Sequence, residues 1–262
     1  LQPDPGSALV FSAFYFPLLR EGLNFTFLII FFSLLTLFFI SLSFEFIEST
    51  GIIGILFLII YFILKRFISK IKIWPFILTF IFSVGFSFSA DYIFNNLFEQ
   101  RHRDRINIVI GKNVDVQGVG YNINQSKIAI GSGGLKGKGF LKGTQTKGDF
   151  VPEQQTDYIF STVGEEWGFL GSLTVILMFC FLIIRILKRA EKQNSKFRRV
   201  FSYGVAGLIF VHFFVNIGMS LGIVPTIGIP LPFISYGGSS LLAFSLMIFI
   251  HLNFDANRLN EW

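Results

Sequence analysis

Long uncharged apolar runs alternate with short charged connections along most of the chain. Seven runs stand out, at about 7–19, 24–42, 51–64, 73–90, 158–184, 200–221 and 238–252. Asn24–Leu42, Ile73–Ala90 and Trp167–Ile184 contain no Asp, Glu, Lys or Arg, and neither does the whole of Val200–Phe254. A helix needs about 20 apolar residues to cross the hydrocarbon core of a bilayer. The pattern therefore predicts an all-α, polytopic transmembrane bundle of about seven spans, the first and third being the shortest.

Composition agrees. Of 262 residues, 52% are hydrophobic, 36 are Phe and only 15% are charged, against about 25% charged in soluble domains. The net charge of +6 is not a nucleic-acid signal, because the basic residues sit in the connections between apolar runs, where membrane topology accounts for them. Lys65, Arg66, Lys70 and Lys72 form one cluster. Arg185, Lys188, Arg189, Lys192, Lys196, Arg198 and Arg199 form another, against Glu191 alone. The positive-inside rule puts both clusters in the cytoplasm. Alternation then places Glu45, Glu48, the 91–157 segment and the 222–237 connection outside, with a cytoplasmic C-terminus. Cys180 is the only cysteine, so no intrachain disulfide forms. The chain opens Leu1-Gln2-Pro3 without a signal-peptide pattern, and reads as a piece of a longer protein.

Within a single membrane domain spanning 1–262, two segments are not span-like. The first, 91–157, is rich in Gly and Lys and too long for a simple connector. The second, Gly222–Gly238, carries Pro225, Pro230 and Pro232 with Gly228 and Gly237. Its backbone cannot complete a helix ladder, so it is either a broken helix lining a site or a kinked turn outside the membrane.

The familiar phosphate and metal motifs do not fit. Ser132-Gly133-Gly134-Leu135-Lys136-Gly137-Lys138-Gly139 has the Gly-Lys of a phosphate loop. It lacks the first Gly and the Ser or Thr after the Lys that would meet magnesium. Two readings remain: exposed amides beside Lys127, Lys136, Lys138, Lys142 and Lys147 hold an anion, or the segment is a solvated loop. His102, His212 and His251 are far apart, so no protein-built metal cage is expected. A divalent ion shared between one carboxylate and a substrate diphosphate remains compatible.

Asp157 opens the fifth apolar run, and Glu165 and Glu166 follow about two turns later. On a continuous helix Glu165 lies roughly 80° around from Asp157 and Glu166 on the opposite side, so one glutamate would share a cavity with Asp157. Acids within membrane helices are costly and usually functional, although Asp157 alone also suits an interfacial helix cap. Sugar transfer from a lipid diphosphate needs a base for the attacking hydroxyl and positive charge for the leaving group. An outer-surface acid beside a basic loop supplies both.

These same residues carry a resemblance. Asn216-Ile-Gly-Met-Ser-Leu-Gly222-Ile-Val-Pro225-Thr-Ile-Gly228-Ile-Pro230-Leu-Pro232-Phe-Ile-Ser235-Tyr-Gly237-Gly238-Ser239-Ser240 resembles the signature of the SEDS family of shape, elongation, division and sporulation proteins. Gly120–Gly134 resembles its extracellular loop motif, Val151–Asp157 its acidic motif and Gln2–Leu9 its earlier Gln-Pro-Asp motif. Gly137-Lys138-Gly139 with Gly143-Thr144-Gln145 looks closer to the RodA branch than to FtsW. The resemblance implies a multi-pass inner-membrane peptidoglycan glycosyltransferase that polymerises lipid II during cell-wall elongation and shape maintenance. It makes Asp157 the essential catalytic carboxylate, as the base or as the group that positions metal and hydroxyl. Lys127, Lys138, Arg103, Arg105, Gly133, Gly134, Glu165 and Ser235 become substrate-binding candidates, with Mg2+ or Mn2+ as the only cofactor. It implies as partners a class B penicillin-binding protein and other membrane proteins of the elongation complex.

The sequence departs from the family pattern in four ways. The family's N-terminal portion is absent before Leu1. More spans separate the Gln-Pro-Asp motif from the large loop, with 43–72 outside the resemblance. Gln155 stands where His often precedes the Thr-Asp pair, and Pro5 replaces a usual Leu. A lipid II flippase is the competing reading, because broken helices suit a transporter equally well; a non-catalytic scaffold is a third.

Overall fold

The structure, a computed structural model, describes residues 5–67, 72–112 and 119–258. Gln2, Pro3 and Asp4 of the short motif and Lys70 of the first basic cluster lie outside the described residues. Among those described, all regular structure is helical. The order is α1 (Pro5–Phe11), a 3-10 turn (Ser12–Phe14), α2 (Tyr15–Arg20), α3 (Phe25–Ser43), α4 (Phe46–Phe67), α5 (Trp74–Asn96), α6 (Gln100–Ile110), α7 (Val119–Ser132), α8 (Thr144–Lys147), α9 (Ile159–Ala190), α10 (Lys196–Leu221) and α11 (Gly238–Ala256). Six helices, α3, α4, α5, α9, α10 and α11, are long and apolar enough to cross a membrane. The chain is a multi-pass membrane protein. The first predicted run is different: the 3-10 turn divides it into two short pieces, and Ala8–Arg20 stays below spanning length. The 91–157 segment is not an open loop either, since α5 extends into it and α6, α7 and α8 lie within it.

The sequence suggests one domain; by contact density the chain divides into two compact units, 24–113 and 1–23 with 114–262. In the first unit Asn24 caps α3, its Oδ1 accepting from the Thr26 amide (3.0 Å) and hydroxyl (2.8 Å). Helix α5 packs against both α3 and α4. Ring pairs Phe38–Phe94, Phe46–Phe88 and Phe57–Phe80 line these contacts, and the buried Ser41 hydroxyl donates to the Ser87 carbonyl at 2.7 Å.

The second unit is built around α10. Of its span window 56% is buried, against 17% or less for each of the other five. Glycine makes one contact possible: a Cβ on Gly207 would stand 2.7 Å from the Ala13 carbonyl oxygen, so only hydrogen lets α10 meet the 3-10 turn this closely. One apolar cluster joins Phe179 and Ile186 of α9, Val205 and Ile209 of α10, Leu231, and Phe244 of α11. A second joins Ala13 to Val211, Val215, Met219 and Ile229. At one end, charges tie α2, α9 and α10 together. Arg20 forks onto Glu191 at 2.7 and 2.8 Å, Tyr203 donates to the same carboxylate, and Arg199 and Lys196 meet Glu21 at 2.8 and 3.5 Å. The hydrogen bonds from Arg20 and Tyr203 hold the Glu191 carboxyl at about 2, against the opposing effect of its partial burial. Arg199 likewise lowers Glu21.

Candidate active site

The glycine-rich segment after α7 is interlocked with α9. A Cβ on Gly133 would lie 2.0 Å from the Gly164 carbonyl oxygen, and one on Gly137 would lie 2.1 Å from that of Glu166. Gly168 has φ 65° and ψ −158°, a break inside α9 that side-chain-bearing residues rarely adopt. The break releases the Phe169 and Leu170 amides from the helix ladder, and they donate to the Gly134 and Leu135 carbonyls at 2.8 and 3.2 Å. In return the Lys138 and Gly139 amides donate to the Glu165 and Glu166 carbonyls. The anion-cradle reading of Gly133 and Gly134 therefore needs correction. Their amides donate to Ile130 and Gly131, and the glycines serve close backbone packing.

This interlock places the Glu165 side chain, fully buried, against the 138–146 turn. Its Oε1 accepts from the Lys138 ammonium (2.7 Å), the Gln145 amide (2.9 Å) and the Thr144 hydroxyl (3.2 Å), and its Oε2 accepts from the Thr146 amide (2.8 Å). Lys138 also donates to Thr144 at 2.6 Å. A buried carboxylate is tolerable when paired and hydrogen-bonded in this way. Glu165 thus organises the turn through Lys138. The helical-wheel expectation fails because α9 begins after Asp157, at Ile159, and Glu166 is buried as well.

Asp157 precedes α9 in a turn whose Thr156 and Tyr158 amides both donate to the Glu153 carbonyl. Four consecutive residues of this turn are fastened to α10 and to the connection that follows it. The Tyr236 amide donates to the Gln155 carbonyl (2.8 Å), and the Ser235 hydroxyl to that of Thr156 (2.7 Å). Asn216 Nδ2 donates to the Asp157 carbonyl (2.8 Å), and the Tyr158 hydroxyl pairs with Thr226 (3.0 Å). Ser235 also accepts from the Leu231 amide, closing its own turn. The 222–237 connection is therefore a packed, non-helical wall with Ile229, Leu231 and Pro232 buried in it. Its Gly228, at φ 81°, faces the acid: a Cβ there would come 3.3 Å from Asp157 Oδ2. Non-glycine residues with positive φ, Leu141, Asp149, Glu153 and Phe233, gather in these same turns. Such strain concentrates where function over-determines the backbone.

Lys127 lies on α7, which is held to the end of α10 by the Ser126 hydroxyl donating to the Ser220 carbonyl (2.9 Å). A Cβ on Gly222 would meet Lys127 Nζ at 2.6 Å, so the ammonium stands over the start of the wall that Asp157 faces. Lys127 is exposed and forms no ion pair among the described residues. Arg103 and Arg105 belong to α6 of the other unit; Arg103 donates to the Asn95 carbonyl and to Gln100. An apolar groove of about 590 Å³, lined by Val163, Trp167, Leu170, Thr174 and Ile234, runs along α9 with Lys136 at its edge. Sequence reasoning missed Asn216, Thr226 and Gly228 as individuals. Asn216 alone carried a signal of its own, a carboxamide inside an uncharged apolar helix.

Three comparisons bear on this arrangement. The FtsW/RodA/SpoVE family model, for cell cycle proteins, matches residues 7–260. The peptidoglycan glycosyltransferase MrdB of Escherichia coli K12 is 45% identical over 159 residues, covering 59% of this chain and 43% of that protein. The peptidoglycan glycosyltransferase RodA of Treponema pallidum is 36% identical over 176 residues, covering 67% of this chain and 41% of that protein. The chain thus spans less than half the length of these relatives. A solved peptidoglycan synthase complex that coordinates polymerization and crosslinking contains a chain with TM-score 0.53 and 26% identity, covering 72% of this chain and 51% of that one.

Proposed function

The chain belongs to the FtsW/RodA/SpoVE family of cell cycle proteins, the SEDS family its motifs resemble, and from that premise we propose that its protein polymerises lipid II into glycan strands. The observation that carries the reading is the Asp157 turn. Its backbone is fixed at three successive carbonyls, with the Tyr158 side chain as a fourth tie, while its carboxylate lies against Gly228. Pre-organisation of this kind is what a base needs. Asp157 accepts the proton of a sugar hydroxyl as that oxygen bonds to the anomeric carbon of a second sugar. The bond from that carbon to the diphosphate breaks, and undecaprenyl diphosphate leaves with the electron pair. Lys127, without an ion pair among the described residues and beside the same wall, is the cation placed to stabilise the developing charge. The groove along α9 gives a prenyl chain an apolar path.

Mg2+ or Mn2+ fits only as a shared ion. No set of three His, Cys, Asp or Glu converges among the described residues, so Asp157 and the diphosphate oxygens would hold it. Bound there, it would supply further neutralisation of the leaving group. By the positive-inside argument the reaction lies on the outer face of the plasma membrane, with the C-terminus in the cytoplasm. A class B penicillin-binding protein within the elongation complex is the partner consistent with the solved synthase likeness.

The test gives the full-length protein, with its transpeptidase partner, labelled lipid II and a divalent ion. Wild type makes glycan and Asp157→Asn, equally expressed and folded, makes none. Glycan from Asp157→Asn would refute the base. Lipid II binding without glycan from either would favour the flippase.

A further inference from the structure

Asn216 is fully buried, and its side chain touches both chain segments that flank the Asp157 carboxylate. Its Nδ2 donates to the Asp157 carbonyl at 2.8 Å and to the Ile229 carbonyl at 2.8 Å. Ile229 follows Gly228, the residue facing Asp157 Oδ2. One carboxamide nitrogen therefore fixes both sides of the gap in which the carboxylate stands. The other half of the amide is unspent: Oδ1 is sealed from solvent and accepts no hydrogen bond. A sealed acceptor without a donor is destabilising, and an apolar side chain of similar shape would remove that cost. The arrangement makes sense where the two donors serve something other than stability.

We propose that Asn216 is a positioning residue for the transfer reaction, setting the orientation of the Asp157 carboxylate and the clearance between it and Gly228. The proposal rests on the reading of Asp157 as the base. Without the two donors, the 157–158 peptide loses the tie to α10 and is held less firmly, although the Tyr158 amide still donates to the Glu153 carbonyl, and the 229–230 peptide loses its tie to the same helix. The wall still closes, because Ser235, Tyr236 and Thr226 keep their own bonds to 155, 156 and 158. What is lost is alignment at one residue. Misplacement of a reacting group by about 1 Å can cost on the order of a hundredfold in rate.

Asn216→Leu removes the donors and the orphaned acceptor together, so their effects on stability oppose each other. Asn216→Gln keeps a two-donor amide, and Asn216→Ser fits the space if leucine does not fold. The full-length protein with its transpeptidase partner would be assayed for kcat, KM for labelled lipid II and thermal midpoint, with Asp157→Asn in the same series. The expected result for Asn216→Leu is a near-wild-type midpoint, KM within about twofold, and kcat lower by about 10- to 100-fold. Asn216→Gln should retain more kcat than leucine at comparable stability. If leucine does not fold, Asn216→Ser should show the same loss in kcat alone. Wild-type kcat in a folded leucine or serine variant, or a loss that only tracks the folded fraction, would overturn the proposal. The reading of Asp157 stands in that case provided Asp157→Asn is inactive. Glycan made by Asp157→Asn would remove the base and the positioning role together.

Discussion

Replacing Lys138 by Met tests whether the lysine of the glycine-rich segment serves the substrate or the fold. Lys138 Nζ sits 2.7 Å from a carboxylate with 0% of its side chain exposed, and is itself only 26% exposed. Breaking a buried pair by removing one partner typically costs about 3–5 kcal/mol. Here Glu165 keeps the Gln145 and Thr146 amides and the Thr144 hydroxyl. The expected cost therefore falls to about 1.5–3 kcal/mol, the range for one hydrogen bond to a charged group. At roughly 2–4 °C per kcal/mol for a domain of this size, Lys138→Met should lower the thermal midpoint in nanodiscs by about 3–12 °C. Adding Glu165→Leu should cost less than the sum of the two single changes, because the unpaired charge is then gone. Lys127→Met, at an exposed ammonium with no ion pair among the described residues, should leave the midpoint unchanged and lower kcat for lipid II polymerisation. A Lys138→Met protein as stable as wild type but with impaired lipid II use would refute this assignment and return Lys138 to the substrate.

The interlock of the glycine-rich segment with α9 predicts that Gly168→Ala, at φ 65° and with its Cβ 2.3 Å from the Gly137 amide nitrogen, destabilises by about 2–4 kcal/mol through strain and overpacking. Gly131→Ala, whose Cβ would meet nothing within 4 Å, serves as the neutral control in the same unfolding assay. The charge cluster at the ends of α2, α9 and α10 makes a pH prediction. Glu191 is lowered from 4.5 to about 2 by Arg20 and Tyr203, so its contribution is complete above about 4.5 and fades as pH falls toward 2. Thermal midpoints should decline across that window in wild type and decline less in Glu191→Gln; equal slopes would dismiss the linkage.

The parts legible from sequence are those that a bilayer dictates. Helices α3, α5, α9, α10 and α11 follow from uncharged apolar length alone, because lipid offers the backbone no other partner. The 222–237 connection left two readings open for a related reason. Proline and glycine say that a helix stops, but not where its orphaned peptide groups go. In the structure the link is made with 155–158, far away in sequence, and only the tertiary contact reveals a wall behind Asp157. The glycine-rich segment misled in a similar way. Glycines that expose amides to an anion and glycines that admit a second backbone look alike in a sequence. The difference lies in Gly164, Glu166 and Gly168 on a partner helix. Lys138 read as a free cation because its carboxylate lies 27 residues on, past the point where helical spacing is informative. Lys127, by the same test, meets no carboxylate among the described residues. Asp157 is legible through motif resemblance and the chemistry of sugar transfer, and the structure adds what neither carries: a fixed main chain beneath a carboxylate that lies against Gly228. Asn216 stayed hidden since one polar residue in an apolar helix does not announce its partners. The residues that hold a site in place are harder to read than the residue that reacts, because their meaning is a distance to somewhere else in the chain.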